Sequence, residues 1–232
     1  WSWTSGGIGS GAAVTVTTNG QLTLLGTAVK NLLGWLTNAG TITYAAPSSG
    51  YLNAQGKLYN LPGALFDFQC DSQINYGSSG CLLVNGGVLR KSSGTGTNQV
   101  ETAFVNSGTV DVQTGAIEFR YGGTLESGSA FTGAGRAILA VGTFNLSGSL
   151  FSQSLVLDGA SLNGAGNFTG SLVWNSGTIG ASLDLFIPVG GTLWLTGSGA
   201  KTVNGSILNA GTIVFASANQ FTMGGTILHN QP

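Results

Sequence analysis

Hydrophobic and polar residues alternate along this chain in short bursts. Ala13-Val14-Thr15-Val16-Thr17, Thr109-Val110-Asp111-Val112-Gln113 and Ala116-Ile117-Glu118-Phe119-Arg120-Tyr121 each keep a two-residue period, and Gly, Ser or Asn residues punctuate the runs. Short alternation bounded by turn formers predicts half-buried strands. In the last run Ile117, Phe119 and Tyr121 are expected to face inward. Glu118 and Arg120 then share the outer face, where an ion pair contributes little.

The bursts repeat. Asn175-Ser176-Gly177-Thr178-Ile179 returns as Asn209-Ala210-Gly211-Thr212-Ile213, 34 residues later, with Gly191-Thr192-Leu193-Trp194-Leu195 between them. Gly-led strand starts fall at Gly7, Gly40, Gly108, Gly142, Gly177 and Gly211, so most steps are near 34 and the step from 40 to 108 is two periods. Secondary starts follow at Gly20, Gly56, Gly87, Gly123, Gly159, Gly191 and Gly225. Tetratricopeptide repeats share this period but need helical patterning, which is missing here. The expectation is one β-solenoid domain over residues 1–232, built from about seven 34-residue units. The weak third unit, about 67–86, is expected to carry a loop excursion. Stacking in parallel predicts one internal ladder of Ile42, Val110, Ile179 and Ile213, and a second of Tyr44, Val112 and Phe215. Asn38, Asn106, Asn175 and Asn209 precede the strands at equivalent turns. They read either as a stacked amide ladder or as simple turn formers. The Gly after each is expected to supply a positive-φ corner. Trp1 and Trp3 could cap the first coil, and Lys30–Leu36 reads as a lateral turn.

Composition narrows the function classes. Charged residues are 6% of the chain, against roughly a quarter in typical domains. Hydrophobic residues still reach 42%, enough to bury a core rather than remain disordered. A net charge of −1 gives no basis for capture of nucleic acid or an anionic membrane. No apolar run is long enough for a membrane helix, so no membrane insertion is expected. The opening residues lack the basic and apolar regions of a secretion signal, and the last ones start a further unit. Both points suggest a segment of a longer protein.

Candidate chemistry is sparse. Cys70 and Cys81 read as a disulfide closing a polar loop or as two separate buried thiols, and the loop-like residues between them favour the bridge. His229 is too far away to complete a metal site with them, and no metal or cofactor is expected. Asp67 and Asp71 are the nearest thing to a paired-carboxylate site, but a glycosidase needs such a pair across a cleft. Arg90 and Lys91 read as a solvated turn. Thr15-Val16-Thr17 and Thr41-Ile42-Thr43 do not suggest the flat, in-register Thr array of an ice-binding face. Trp194 lies between two residues expected inside, so alternation points it outward as a contact for a sugar or protein. The competing reading packs it beneath a turn of the same chain. No catalytic constellation emerges.

The run from Gly166 to Ile179, the Gly191-Thr192-Leu193-Trp194-Leu195 strand and the Leu208-Asn209-Ala210-Gly211-Thr212-Ile213 segment resemble the Asn-Gly-Thr repeat units of large bacterial cell-surface and secreted proteins. These are the passenger regions of autotransporters and the haemagglutinin-type adhesins. Asn106–Tyr121 is similar. The resemblance implies a right-handed parallel β-helix with a surface, adhesive or scaffold role, outside the cell or on its surface. A non-enzymatic structural segment is the leading expectation, with a carbohydrate-active β-helix, lyase- or glycosidase-like, or its binding section as the alternative. Expected partners are a surface glycan or protein, and a second copy meeting it end to end through open β edges.

Overall fold

The structure, a computed structural model, describes residues 1–216, 219–224 and 228–231. It is an all-β solenoid of about 11 turns. Apart from a single 3₁₀ turn at Ser48–Gly50, the regular elements of the described residues are all strands. Each turn contributes one strand to each of three parallel ladders. Ladder A includes Gln21–Leu24, Thr41–Tyr44, Leu65–Phe68, Val88–Lys91 and Thr109–Val112. Ladder B includes Lys30–Leu32, Leu52–Ala54, Ile74–Tyr76, Thr97–Val100 and Ala116–Phe119. Ladder C includes Trp35–Asn38, Lys57–Asn60, Leu82–Asn85 and Ala103–Asn106. With strands about 4.8 Å apart, eleven turns make a rod roughly 50 Å long.

The core is a set of inward columns. Ile42, Phe66, Leu89, Val110 and Phe131 stack in ladder A, all fully buried. Phe104 and Phe119 face each other across the interior at 4.1 Å between ring centroids. Burying one such side chain contributes roughly 1.5–3 kcal/mol, so the columns carry the stability of a chain poor in charge. Alternation does what it must here: every second residue of a strand enters the column and its neighbours face out.

One turn is shorter than the repeat suggests. Register partners lie between 17 residues apart (Leu157 to Trp174) and 26 (Ile74 to Val100). The 34-residue spacing from Asn175 to Asn209 therefore counts five corners, between one and a half and two turns. Asn175 sits at a B-to-C corner and Asn209 at an A-to-B corner. Asn38 and Asn106 are three whole turns apart at the same C-to-A corner. The expected ladder of Ile42, Val110, Ile179 and Ile213 is corrected accordingly. Ile42 and Val110 share ladder A, whereas Ile179 belongs to ladder C and Ile213 to ladder B. Phe215 likewise sits in ladder B, apart from Tyr44 and Val112, and is 60% exposed.

Other local expectations also shift. Residues 67–86 form no excursion: Asp67 and Phe68 end a ladder A strand, Ile74–Tyr76 enters ladder B and Leu82–Asn85 enters ladder C. The irregular region is later, where Leu150–Ala165 and Phe168–Ile179 run continuously through the corners with register shifts near Ser152, Leu157 and Asp158. Lys30–Leu36 contributes to two ladders instead of forming a lateral turn. Thr15-Val16-Thr17 borders ladder C and Thr41-Ile42-Thr43 lies in ladder A, so the two runs do not stack; Thr15 meets Thr37 and Thr43 meets Thr23, and the next rungs are Tyr59 and Asp67. Gly40 and Gly108 do not adopt positive φ. They are needed because a Cβ there would overlap carbonyl oxygens of the coil below, Thr17 and Gly20 in one case and Gly87 in the other. At the start Trp3 packs against the core, while Trp1 is 80% exposed and caps little. The strand start expected at Gly225 lies outside the described residues.

Candidate functional site

The polar chemistry of the rod concentrates at its corners. At the C-to-A corner four buried asparagines form a continuous amide ladder. Asn38 Nδ2 donates to Asn60 Oδ1 at 2.8 Å, Asn60 to Asn85 at 2.7 Å and Asn85 to Asn106 at 2.8 Å. Asn38, Asn60 and Asn85 also donate to a ladder A carbonyl one coil on, those of Leu65, Val88 and Thr109. Two of the four, Asn60 and Asn85, are not followed by Gly-Thr in the third position and escape the Asn-x-Gly-Thr pattern. The signal that finds all four is a buried apolar residue two positions earlier: Leu36, Leu58, Leu83 and Phe104. Asn209 makes a separate rung to Asn230 at 3.0 Å. Asn175 belongs to neither rung, receiving the Thr196 hydroxyl at 2.7 Å and donating to Asp158.

The A-to-B corner is built from charge. Lys91 ends the strand Val88–Lys91 at an inward position, in the column of Tyr44, Phe68 and Val112, and is fully buried. Its ammonium meets Asn98 Oδ1 at 2.6 Å, Asp71 Oδ1 at 2.7 Å, the Cys70 carbonyl at 2.9 Å and the Ser93 carbonyl at 3.1 Å. Asn98, also fully buried, donates through Nδ2 to the Cys70 and Ser72 carbonyls, which fixes its Oδ1 toward Lys91. Tyr44 closes the interior side by donating to the Gln73 carbonyl at 2.9 Å and meeting the Ser72 hydroxyl at 3.1 Å. Burial pushes the Tyr44 phenol well up from its ordinary value. The hydrogen bond from Lys91 holds the Asp71 carboxyl below the usual carboxylate range.

On the outer face, Asp67 accepts from Arg90 at 2.8 Å, Ser92 at 2.9 Å and Gln69 at 3.1 Å. Asp67 is 1% exposed. Its burial raises the carboxyl pKa, but the Arg90, Gln69 and Ser92 hydrogen bonds outweigh that and hold it low. Arg90 and Lys91 are thus not a solvated turn. They belong to a strand, one side chain outward and one inward, and Arg90 neutralises Asp67 while Lys91 neutralises Asp71. Acids in this pattern serve as counter-ions.

Cys70 and Cys81 are free thiols at different corners of one coil, A-to-B and B-to-C. Cys70 Sγ donates to the Tyr44 carbonyl at 3.1 Å, and burial raises both thiol pKa values. The residues between them include a ladder B strand, Ile74–Tyr76, so the bridged-loop reading does not describe the arrangement. Tyr121, expected inward, is exposed. The inward alternation stops at Phe119 because the chain turns the corner, and Tyr121 stacks instead on Tyr76 at 5.1 Å. Arg120 reaches Glu118 at 3.5 Å beside it.

Trp194 points outward between buried Leu193 and Leu195 and is 41% exposed. Its register partners Val173 and Val214, both half-buried, flank it in one outward row of ladder B, which continues to the buried Val156 and to Ile138. His229 is an exposed rung next to Leu208 in ladder A. No helix among the described residues is long and apolar enough to cross a membrane. Compared with protein-family models, curated proteins and solved structures, the chain matches none.

Proposed function

We propose that this chain is a non-enzymatic, extracellular structural and adhesive β-solenoid, a spanning segment of a surface protein or fibre of bacterial type. The observation that carries the reading is the outward row of Val173, Trp194 and Val214 on ladder B, in which the Trp194 ring is 41% exposed. A partly exposed Trp in such a column suits stacking on a glycan or on an apolar protein surface. The low charge of the chain and the tying of Asp67 and Asp71 to Arg90 and Lys91 support display over hydrolysis. The test is binding to arrays of surface glycans and extracellular proteins, with Trp194→Ala expected to weaken any contact at least tenfold. Reproducible cleavage of a polysaccharide, lost in Asp67→Ala or Asp71→Ala, would instead establish the carbohydrate-active alternative.

End-to-end association with a second copy belongs to the same proposal. Among the described residues of the last turn, Phe215, Met223 and Leu228 occupy inward columns yet are 60%, 37% and 41% exposed. Another coil in register would cover them. Electron microscopy at high concentration should show filaments that shorten or vanish in Phe215→Ser. Single rods alone would count against it.

A further inference from the structure

Lys91 stands apart from Lys30, whose ammonium donates to backbone carbonyls. Lys30 is fully buried and its ammonium donates to the carbonyls of Gly26, Ala28 and Gly50, three hydrogens for three acceptors. Lys91 has four acceptors for the same three hydrogens, and two of them are side chains: the Asn98 carboxamide and the Asp71 carboxylate. One acceptor is always short of a proton. The ammonium can pass a proton to Asp71, 2.7 Å away. The neutral amine then gives its two hydrogens to the Cys70 and Ser93 carbonyls. Its lone pair is left toward Asn98, whose carboxamide is locked in orientation by Cys70 and Ser72.

The geometry points to a spontaneous isopeptide bond between Lys91 Nζ and Asn98 Cγ, with Asp71 as the proton relay. Desolvation and fixed orientation make an amine a competent nucleophile toward a neighbouring carbonyl carbon. Asp71 takes a proton from the ammonium, and Nζ adds to Cγ. The proton that the new C–N bond releases passes through Asp71 to Nδ2. The Cγ–Nδ2 bond then breaks, and nitrogen leaves as ammonia, which takes the proton first transferred from the ammonium to Asp71 and departs as ammonium, restoring the carboxylate. The balance is one ammonium side chain plus one carboxamide giving one secondary amide plus one ammonium ion. No oxidant, reductant or cofactor enters. The product staples the end of a ladder A strand to the next ladder B strand across the A-to-B corner, and it stands whether or not the rod is a surface protein.

Intact mass spectrometry of the folded full chain tests this. The expected result is a mass one ammonia below the sequence value, with Lys91 resistant to trypsin and recovered in a branched peptide joined to Asn98. Asp71→Ala removes a partly exposed group and leaves the core columns untouched, so it should fold, show a normal far-ultraviolet strand spectrum and keep the full sequence mass. Chain isolated in denaturant should start at full mass and lose ammonia on refolding. Full mass in the folded wild type, with Lys91 and Asn98 in linear peptides, overturns the proposal. Ammonia loss that maps to any other residue, or that persists in a folded Asp71→Ala, overturns it too.

Discussion

Lys30 and Lys91 enter the same corner of the solenoid, where ladder A hands over to ladder B, and they show two ways of burying an amine. Lys30 comes from the ladder B side and replaces water for three loop carbonyls. Two of these, on Gly26 and Ala28, lie in an exposed loop that water can reach. Lys91 comes from the ladder A side into an aromatic column and gathers groups from two coils, Asp71 from one and Asn98 from the next. Burying an ion costs several kcal/mol before pairing. In the first corner that cost is offset by backbone acceptors any sequence would supply. In the second it is offset by particular side chains, so that corner is specific to this part of the rod. Function and modification are therefore better sought where a corner depends on side chains than where it depends on backbone.

The comparison is broken most directly by Lys91→Met. Whether the amine is held as an ammonium or as an amide, its loss leaves Asp71 without its partner and the Cys70 and Ser93 carbonyls without donors. A loss of about 3 kcal/mol is expected, the low end for a broken buried pair because Asp71 is 41% exposed. Urea midpoints at constant slope measure it. A change under about 1 kcal/mol would put Lys91 in the same class as Lys30.

Next in size is Asn85→Ala, in the neutral C-to-A corner. It removes the acceptor of Asn60 and the donor to Asn106, inside a ladder whose members are at most 1% exposed. Leaving those groups short of partners should cost about 2 kcal/mol. Hydrogen exchange should speed up most in the coils on either side of residue 85. Uniform exchange along the rod would mean that the ladder does not act as a local stitch.

These corners also show how far the sequence can be read. Alternation revealed the strands and the inward columns, because burial of every second residue leaves a direct trace. It left the coil length open between two unequal coils per unit and one and a half longer ones. Corners recur about every seven residues and any of them can use Asn-x-Gly-Thr, so the repeated motif measured five corners and looked like one unit. Asn60 and Asn85 were hidden because their turns follow a different sequence. Lys30 and Lys91 were read as surface residues because lysine is almost never fully buried unless paired. The partners that change this lie 20 or so residues away, one coil off, where no local pattern points. Trp194 was legible for the opposite reason: its two neighbours alone decide its direction.

Asp67 sharpens the contrast from outside the corner. Its carboxyl is held low in the folded state by Arg90, Gln69 and Ser92 despite its burial. A depressed folded value means that its contribution is present above the unfolded carboxylate pKa of about 3.9 and fades as pH falls through the folded value. Asp67→Asn should therefore cost on the order of 1 kcal/mol at pH 6, since the carboxamide keeps part of the hydrogen bonding. The gap from wild type should close below pH 4. A gap that stays constant from pH 6 to pH 2.5 would show that charge is not what Asp67 contributes.

Lys30→Met should have the smallest effect, within about 1 kcal/mol at neutral pH, because water can serve the Gly26 and Ala28 carbonyls and a buried ion is often replaced by an apolar side chain at little cost. Its signature is in the pH dependence. Burial lowers the Lys30 pKa, so between the folded and unfolded values the folded chain binds fewer protons than the unfolded one. Stability therefore rises with pH across that window, up to the ordinary lysine range near 10.4. Lys30→Met removes the Lys30 share of this rise, leaving the share of Lys201, whose pKa burial also lowers, and the acid limb set by Asp67 unchanged. If the alkaline rise survives the substitution undiminished, Lys30 contributes none of it, and Lys30 and Lys91 do not divide their roles between backbone and side-chain partners.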